Sequence, residues 1–233
     1  MGVIYFSYGM TKSASTFVYQ LECKIFELSS YNLVKAPSEI RGNKAAENYM
    51  EPITDKKVQE LAAWLPDGAA TVIKTHGPPS PLAIDLINSG AAFASATYRD
   101  PRDIAISLVD HGKKSREKGI SDFSDFEKPM DALDELKRQL NRLNPWLELS
   151  GCLSLSYETI RQDSEIVADK VINQLGLSGV NTADVLDPFQ DKKEITHFNV
   201  GASERYKKHM SQEELEVFNS ELGEFIEFAK PQS

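Results

Sequence analysis

Val3 to Phe6 is a short run of apolar and aromatic residues, and from Phe17 the apolar positions recur at helical spacing: Phe17, Val18, Leu21, Ile25 and Leu28. Between them lies a stretch of small and hydroxylic residues, Ser7, Gly9, Thr11, Lys12, Ser13, Ala14, Ser15 and Thr16. The pattern predicts a buried strand, a tight loop and a helix. Further strands are expected at 70–74 (ATVIK), 92–98 (AFASATY) and 152–156 (CLSLS). Small residues in the 92–98 run suit a strand covered on both faces.

Helices are expected between these strands. Thr54 or Asp55 caps one that runs through Val58, Leu61 and Leu65 and stops at Pro66-Asp67-Gly68. Residues 81–89 form another. Asp100 is a good N-cap and Pro101 suits the first helical position, so Arg99 is read as the last strand residue before a helix N-terminus. Leu133, Leu136, Leu140, Leu143 and Leu147 share one side of a helix over 131–149, and 164–175 forms another, closed by Gly176. Ser211 with Glu214 has the spacing of a capping box for the last helix. Residues 32–53 lack a clear period but leave room for a short helix, 177–205 lack one as well, and 111–130 reads as a helix end followed by a mobile surface loop. Strands alternating with helices give an α/β fold: one domain over 1–233, a central and mostly parallel sheet with helices on both faces, and a P-loop-like strand–loop–helix at the start. Ligands are expected at the C-terminal strand ends.

Hydrophobic content of 41% and charged content of 26% are those of an ordinary globular chain. No apolar run is long enough to cross a bilayer, and the chain enters a strand at once, which predicts no signal peptide and a cytoplasmic location. Cys23 and Cys152 read as reduced core residues, and neither cysteines nor histidines show metal-ligand spacing. A net charge of −9 argues against nucleic acid as a partner, so any anionic ligand must be held by a local basic site.

The first loop is the candidate for that site. Free N–H groups at a helix start favour an anion, and Lys12 adds a positive charge. The Walker form is not met, because Phe6 and Thr11 stand where its glycines belong. In a parallel sheet Lys12, Lys74, His76, Arg99 and Tyr157 all fall at one edge, with Ser107 about two turns along the helix after Arg99. Arg99 either meets a phosphate or bridges Asp100 or Asp103. His111, His197 and His209 read as surface or loop histidines.

Four segments in order resemble the sulfotransferases that use 3′-phosphoadenosine 5′-phosphosulfate (PAPS). Residues 11–17, TKSASTF, resemble the phosphosulfate loop P-K-S-G-T-T-W, and 74–79, KTHGPP, resemble K-T-H-L-P-P. Residues 98–107, YRDPRDIAIS, are similar to the 3′-phosphate motif Y-R-N-P-K-D-x-x-x-S, and Tyr157-Glu158 to a Y-E after a later strand. The resemblance implies a cytosolic-type sulfotransferase with PAPS as donor, adenosine 3′,5′-bisphosphate (PAP) as product, no metal and a small-molecule acceptor. It implies that Lys12 meets the 5′-phosphate, that Ser13, Ala14, Ser15 and Thr16 wrap it, and that Phe17 stands against adenine. Arg99 and Ser107 would hold the 3′-phosphate, Tyr157 would contact the nucleotide, His76 would be the base and Lys74 would lie beside the transferring group.

The chain departs from the pattern at Thr11, which replaces proline, and Ala14, which replaces glycine and implies a less tightly turned loop. The R-K-G that clamps the 3′-phosphate appears as Asn199-Val200-Gly201, with only Gly201 kept, and Arg205, Lys207 or Lys208 would have to substitute for the lost cations. Residues 206–211, YKKHMS, resemble W-K-N-H-F-T, but the dimer signature is incomplete and the oligomeric state stays open. Two other functions compete: a P-loop nucleotide or small-molecule kinase, and a non-catalytic module that binds PAPS or PAP.

Overall fold

Alternation along the strands sorts apolar side chains onto two sides of one sheet. In the computed structural model the described residues are 2–43, 45, 47–190 and 202–230. The chain runs β1 (Val3–Gly9), α1 (Ser15–Glu27), β2 (Asn32–Leu33), α2 (Ser38–Arg41), α3 (Asp55–Trp64), β3 (Ala69–Thr75), α4 (Pro81–Asn88) and β4 (Ala92–Tyr98). It continues α5 (Pro101–Lys118), α6 (Leu133–Leu147), β5 (Cys152–Ser156), α7 (Tyr157–Gln162), α8 (Ser164–Gln174), α9 (Thr182–Leu186), α10 (Tyr206–His209) and α11 (Gln212–Phe228). Among the described residues the strands form one parallel sheet in the order β2-β3-β1-β4-β5.

Ile4, Phe6, Tyr8, Ile73, Ala94 and Ala96 face a core completed by α3, α4, α5, α6 and α11. Tyr5, Ala70, Val72 and Leu155 face the other side, where α1, α8 and α9 cover them. The sheet is therefore flanked by helices on both faces. Strand order reverses around β1, whose neighbours β3 and β4 are reached by later crossovers, and the C-terminal end of β1 is the expected ligand crevice. Trp146 on α6 fixes one wall of that crevice. Its ring stacks on Tyr8 at 5.6 Å and its Nε1 donates to the Gly77 carbonyl at 3.0 Å, which holds the turn after β3.

The caps are those the sequence predicts. Asp100 accepts from the Arg102 N–H, Thr54 accepts from Lys57, and Ser211 and Glu214 form a capping box. The structure differs in detail elsewhere. Strand β4 ends at Tyr98, so Arg99 sits in the strand-to-helix turn rather than in the ladder. Tyr157 begins α7, a helix the pattern did not predict, and β2 lies within the irregular 32–53 segment, where α2 is the short helix.

Helix α5 extends to Lys118, and the segment after it is tied down instead of standing off as a mobile loop. Gly112 lets two carbonyls close on the helix, since a Cβ there would lie 2.5 Å from the oxygens of both Phe123 and Phe126. Arg116 donates to the carbonyls of Ser124 and Phe126 at 2.5 and 3.1 Å. Cys23 and Cys152 are both free thiols, half-buried on α1 and at the start of β5. Among the described residues no helix is long and apolar enough to cross a membrane.

Candidate functional site

Residues 10–14 carry the chain from β1 into α1. Two of them, Lys12 (φ 69°) and Ala14 (φ 68°), are left-handed, a conformation that strains non-glycine residues. The loop therefore turns tightly despite the alanine. Gly9 permits the close approach beneath it, because a Cβ would lie 2.3 Å from both Ser15 Cβ and Thr97 Oγ1. Ser13 is fully buried, and its hydroxyl donates to the Met10 carbonyl at 2.6 Å and shares a bond with Thr97 Oγ1 at 2.8 Å. Its side chain holds the loop from below. Ala14 is the N-cap of α1 and provides no side-chain cap, and the first turn contains no acid. The N–H groups of Ser15, Thr16 and Phe17 thus open an uncapped helix start toward the crevice.

Lys12 stands over this cradle. Burial, and then the charge of Lys114, lower its pKa to about 8. Among the described residues no carboxylate acts on it. Phe123 lies beneath its ammonium at 4.8 Å. Phe17 is almost buried and meets Phe189 edge-on at 5.3 Å.

The end of β3 brings an imidazole. His76 Nδ1 donates to the Gly9 carbonyl at 2.5 Å, so Nε2 carries the free lone pair. Burial lowers its pKa below the ordinary histidine value, and the neutral ring is the resting form near pH 7. Tyr49 lies 5.8 Å away, ring to ring. Lys74 is almost wholly buried, donates to Thr16 Oγ1 at 2.9 Å and pairs with Glu47 at 2.8 Å. It ties β3 to the first turn of α1.

At the other wing, Arg99 lies over the Tyr157 ring, with Cζ 3.8 Å from the centroid. Its Nη2 donates to Asp103 at 3.2 Å and to the Ala202 carbonyl at 2.7 Å, while its Nε, though buried, has no partner among the described residues. Asp103 also accepts from the N–H groups of Glu204 (2.8 Å) and Tyr206 (3.2 Å). This fully buried carboxylate fastens 202–206 against α5 and fixes Arg99. Ser107 lies buried one turn further on the same helix face. Arg99 thus bridges Asp103 and still retains an orphan donor.

The sequence-predicted residues therefore gather at one edge: Lys12 to Phe17 after β1, Lys74 and His76 after β3, Arg99 and Ser107 after β4, and Tyr157 after β5. Gly201 and His197 lie outside the described residues. Of the proposed substitute cations, Arg205 pairs with Asp110 at 2.8 Å and exposed Lys207 pairs with Glu204 at 2.5 Å. His111 departs from the surface reading: it is half-buried, with Nδ1 2.6 Å from Lys12 Nζ. Its place four residues beyond Ser107 was the available signal, since that spacing puts both on one helix face.

No family model matches the chain, and no curated protein sequence matches it. Solved structures do. Retinol dehydratase in a complex with retinol and PAP matches with a TM-score of 0.55 at 16% identity, over 99% of this chain and 83% of that one. The same protein with androsterone and inactive cofactor PAP gives 0.53 at 15%, over 99% and 82%. A mouse sulfotransferase, SULT7A1, complexed with PAP gives 0.65 at 14%, over 96% and 83%. At this identity the likeness is one of fold, and the fold is that of the sulfotransferases.

Proposed function

We propose that this protein, built on the sulfotransferase fold, is a PAPS-dependent sulfotransferase acting on a hydroxyl or amine of a small molecule. The observation that carries the reading is Lys12: a half-buried lysine on which no carboxylate of the described residues acts, beside an uncapped helix start. That is a positive site awaiting an anion. The buried Nε of Arg99, without a partner among the described residues, supports an anion at Arg99 as well, since a buried donor left unpaired is costly. The neighbours of the same fold are described as complexes with PAP, which has a phosphate at each end of its ribose.

In this reading the N–H groups of residues 15–17, with Ser15 and Thr16, cradle the 5′-phosphate. Arg99 and Ser107 hold the 3′-phosphate, and Tyr157 backs the Arg99 plane. Asp103 and the Ala202 carbonyl orient Arg99, the part of the 3′ site where the resembling family has its own cations. The acceptor oxygen attacks sulfur as its proton moves to His76 Nε2. The bond from sulfur to the bridging oxygen of the 5′-phosphate breaks, its electron pair stays on that oxygen, and Lys12 meets the new charge. Lys74 holds Thr16 in the cradle. Positioning and charge stabilisation supply most of the rate.

Retinol and androsterone, named with retinol dehydratase, support hydroxylated small molecules as the acceptors to try first. The test is a thermal melt with PAP in the absence of magnesium, followed by transfer of labelled sulfuryl from PAPS to alcohols, phenols and amines. A raised Tm and labelled product are expected. Stabilisation by ATP with magnesium and not by PAP would make the protein a kinase. Tight PAP binding with no transfer would make it a binding module.

A further inference from the structure

The ammonium of Lys12 lies 2.6 Å from Nδ1 of His111 and 4.8 Å from the centre of the Phe123 ring, while the His111 and Phe123 rings meet edge-on at 4.9 Å. These three side chains come from separate places: the loop after β1, the middle of α5, and the segment after α5 that Gly112 and Arg116 hold against the helix. Phe123 is itself left-handed (φ 59°), as is Lys12 (φ 69°), and both strained residues point into the same contact. A lysine ammonium has only donors, so the neutral imidazole must accept at Nδ1 and carry its proton on Nε2. Lys12 has four rotatable side-chain bonds to order before its charge can serve a developing oxyanion, and preset groups act without that reorganisation.

We propose that His111 is a positioning residue for Lys12: its Nδ1 and the Phe123 face hold the ammonium in place before the donor arrives. This rests on the reading of Lys12 as the group that meets the leaving 5′-phosphate. In this role His111 acts through Lys12 and not on the reacting atoms.

Two variants separate positioning from packing. His111→Asn keeps an acceptor near the Nδ1 position and loses the ring, whereas His111→Phe keeps the ring against Phe123 and loses the acceptor. The expected result is that His111→Phe lowers kcat for sulfuryl transfer about tenfold and changes the PAP Kd less than about threefold, and that His111→Asn recovers most of the loss. The reverse order, with the phenylalanine variant active and the asparagine variant impaired, would overturn the proposal. A readout independent of turnover is the side-chain ¹⁵N spectrum of the whole protein. Lys12→Met should move the His111 Nδ1 resonance and leave His209 where it was, and an unmoved His111 signal would also overturn the proposal. If the NMR coupling is seen while the wild-type protein transfers to no acceptor, the Lys12–His111 pairing stands and the reaction assigned to the site falls.

Discussion

His76 Nδ1 donates to the carbonyl of Gly9 at 2.5 Å, which joins the end of β3 to the end of β1 and fixes the imidazole tautomer. The nitrogen left to accept a proton is Nε2. The same glycine is the residue whose missing Cβ lets α1 and Thr97 close on β1. One backbone position therefore anchors both the His76 ring and the loop that leads into α1.

From this follows the first prediction. His76→Ala should lower kcat by about 10²- to 10⁴-fold, the usual contribution of a general base, with the PAP Kd within about threefold of wild type. Because burial holds the histidine below its ordinary pKa, wild-type activity should be level near pH 7 and fall only as pH drops through that lowered value. Single-turnover transfer and calorimetry with PAP measure both. Wild-type turnover in the alanine variant would remove His76 from the chemistry.

Lys12 gives a pH dependence of the opposite sense. Its pKa of about 8, set by burial and then by Lys114, means that it loses its charge as pH rises. Binding of an anion needs the charged form, so PAP affinity should fall about tenfold between pH 7 and pH 9. Lys12→Arg keeps its charge over that range and should flatten the profile. Equal slopes for the two proteins would place the titration elsewhere.

Arg99 should read the 3′-phosphate alone. Arg99→Ala is expected to weaken PAP about 100-fold, the loss of a charge-assisted pair, while adenosine 5′-monophosphate, which lacks the 3′ group, changes less than about threefold. Arg99→Lys keeps a cation near Asp103 and should bind PAP between the two, because the fork is lost. Calorimetry with both nucleotides makes the comparison. A parallel loss for the two ligands would mean that Arg99 only supports the fold through Asp103 and Ala202.

Glu22 has no part in the site but should dominate one feature of stability. It is fully buried on α1, accepts from Ser95 at 2.5 Å, and burial raises its pKa to about 8. Its native pKa exceeds its unfolded value, so its contribution is complete below the ordinary carboxylate range and is lost as pH rises toward 8. Glu22→Gln cannot titrate. The stability of the variant relative to wild type should grow by about 1.4 kcal/mol per pH unit between pH 5 and 8, as measured by urea unfolding. A difference independent of pH would show that the carboxylate is not protonated in the folded protein.

What the sequence determined by itself is the order of elements and the edge at which they end. Period-2 and period-3.6 patterns, with caps at Thr54, Asp100 and Ser211, placed β4 at Ala92–Tyr98 and β5 at Cys152–Ser156 and predicted a parallel sheet with polar residues at its strand ends. These signals are local: side-chain alternation and capping depend on neighbours a few residues apart. Tertiary structure alone decided what each side chain is free to do. Ser13 and Lys74 look like ligands in a motif, yet one is buried under the loop and the other is joined to Glu47 and Thr16. His111 looks like a surface residue, yet it lies on Lys12 across a sequence separation of 99 residues. Which hydroxyl, imidazole or guanidinium keeps an open valence depends on partners brought together by sheet order and helix packing, and no local pattern encodes those partners.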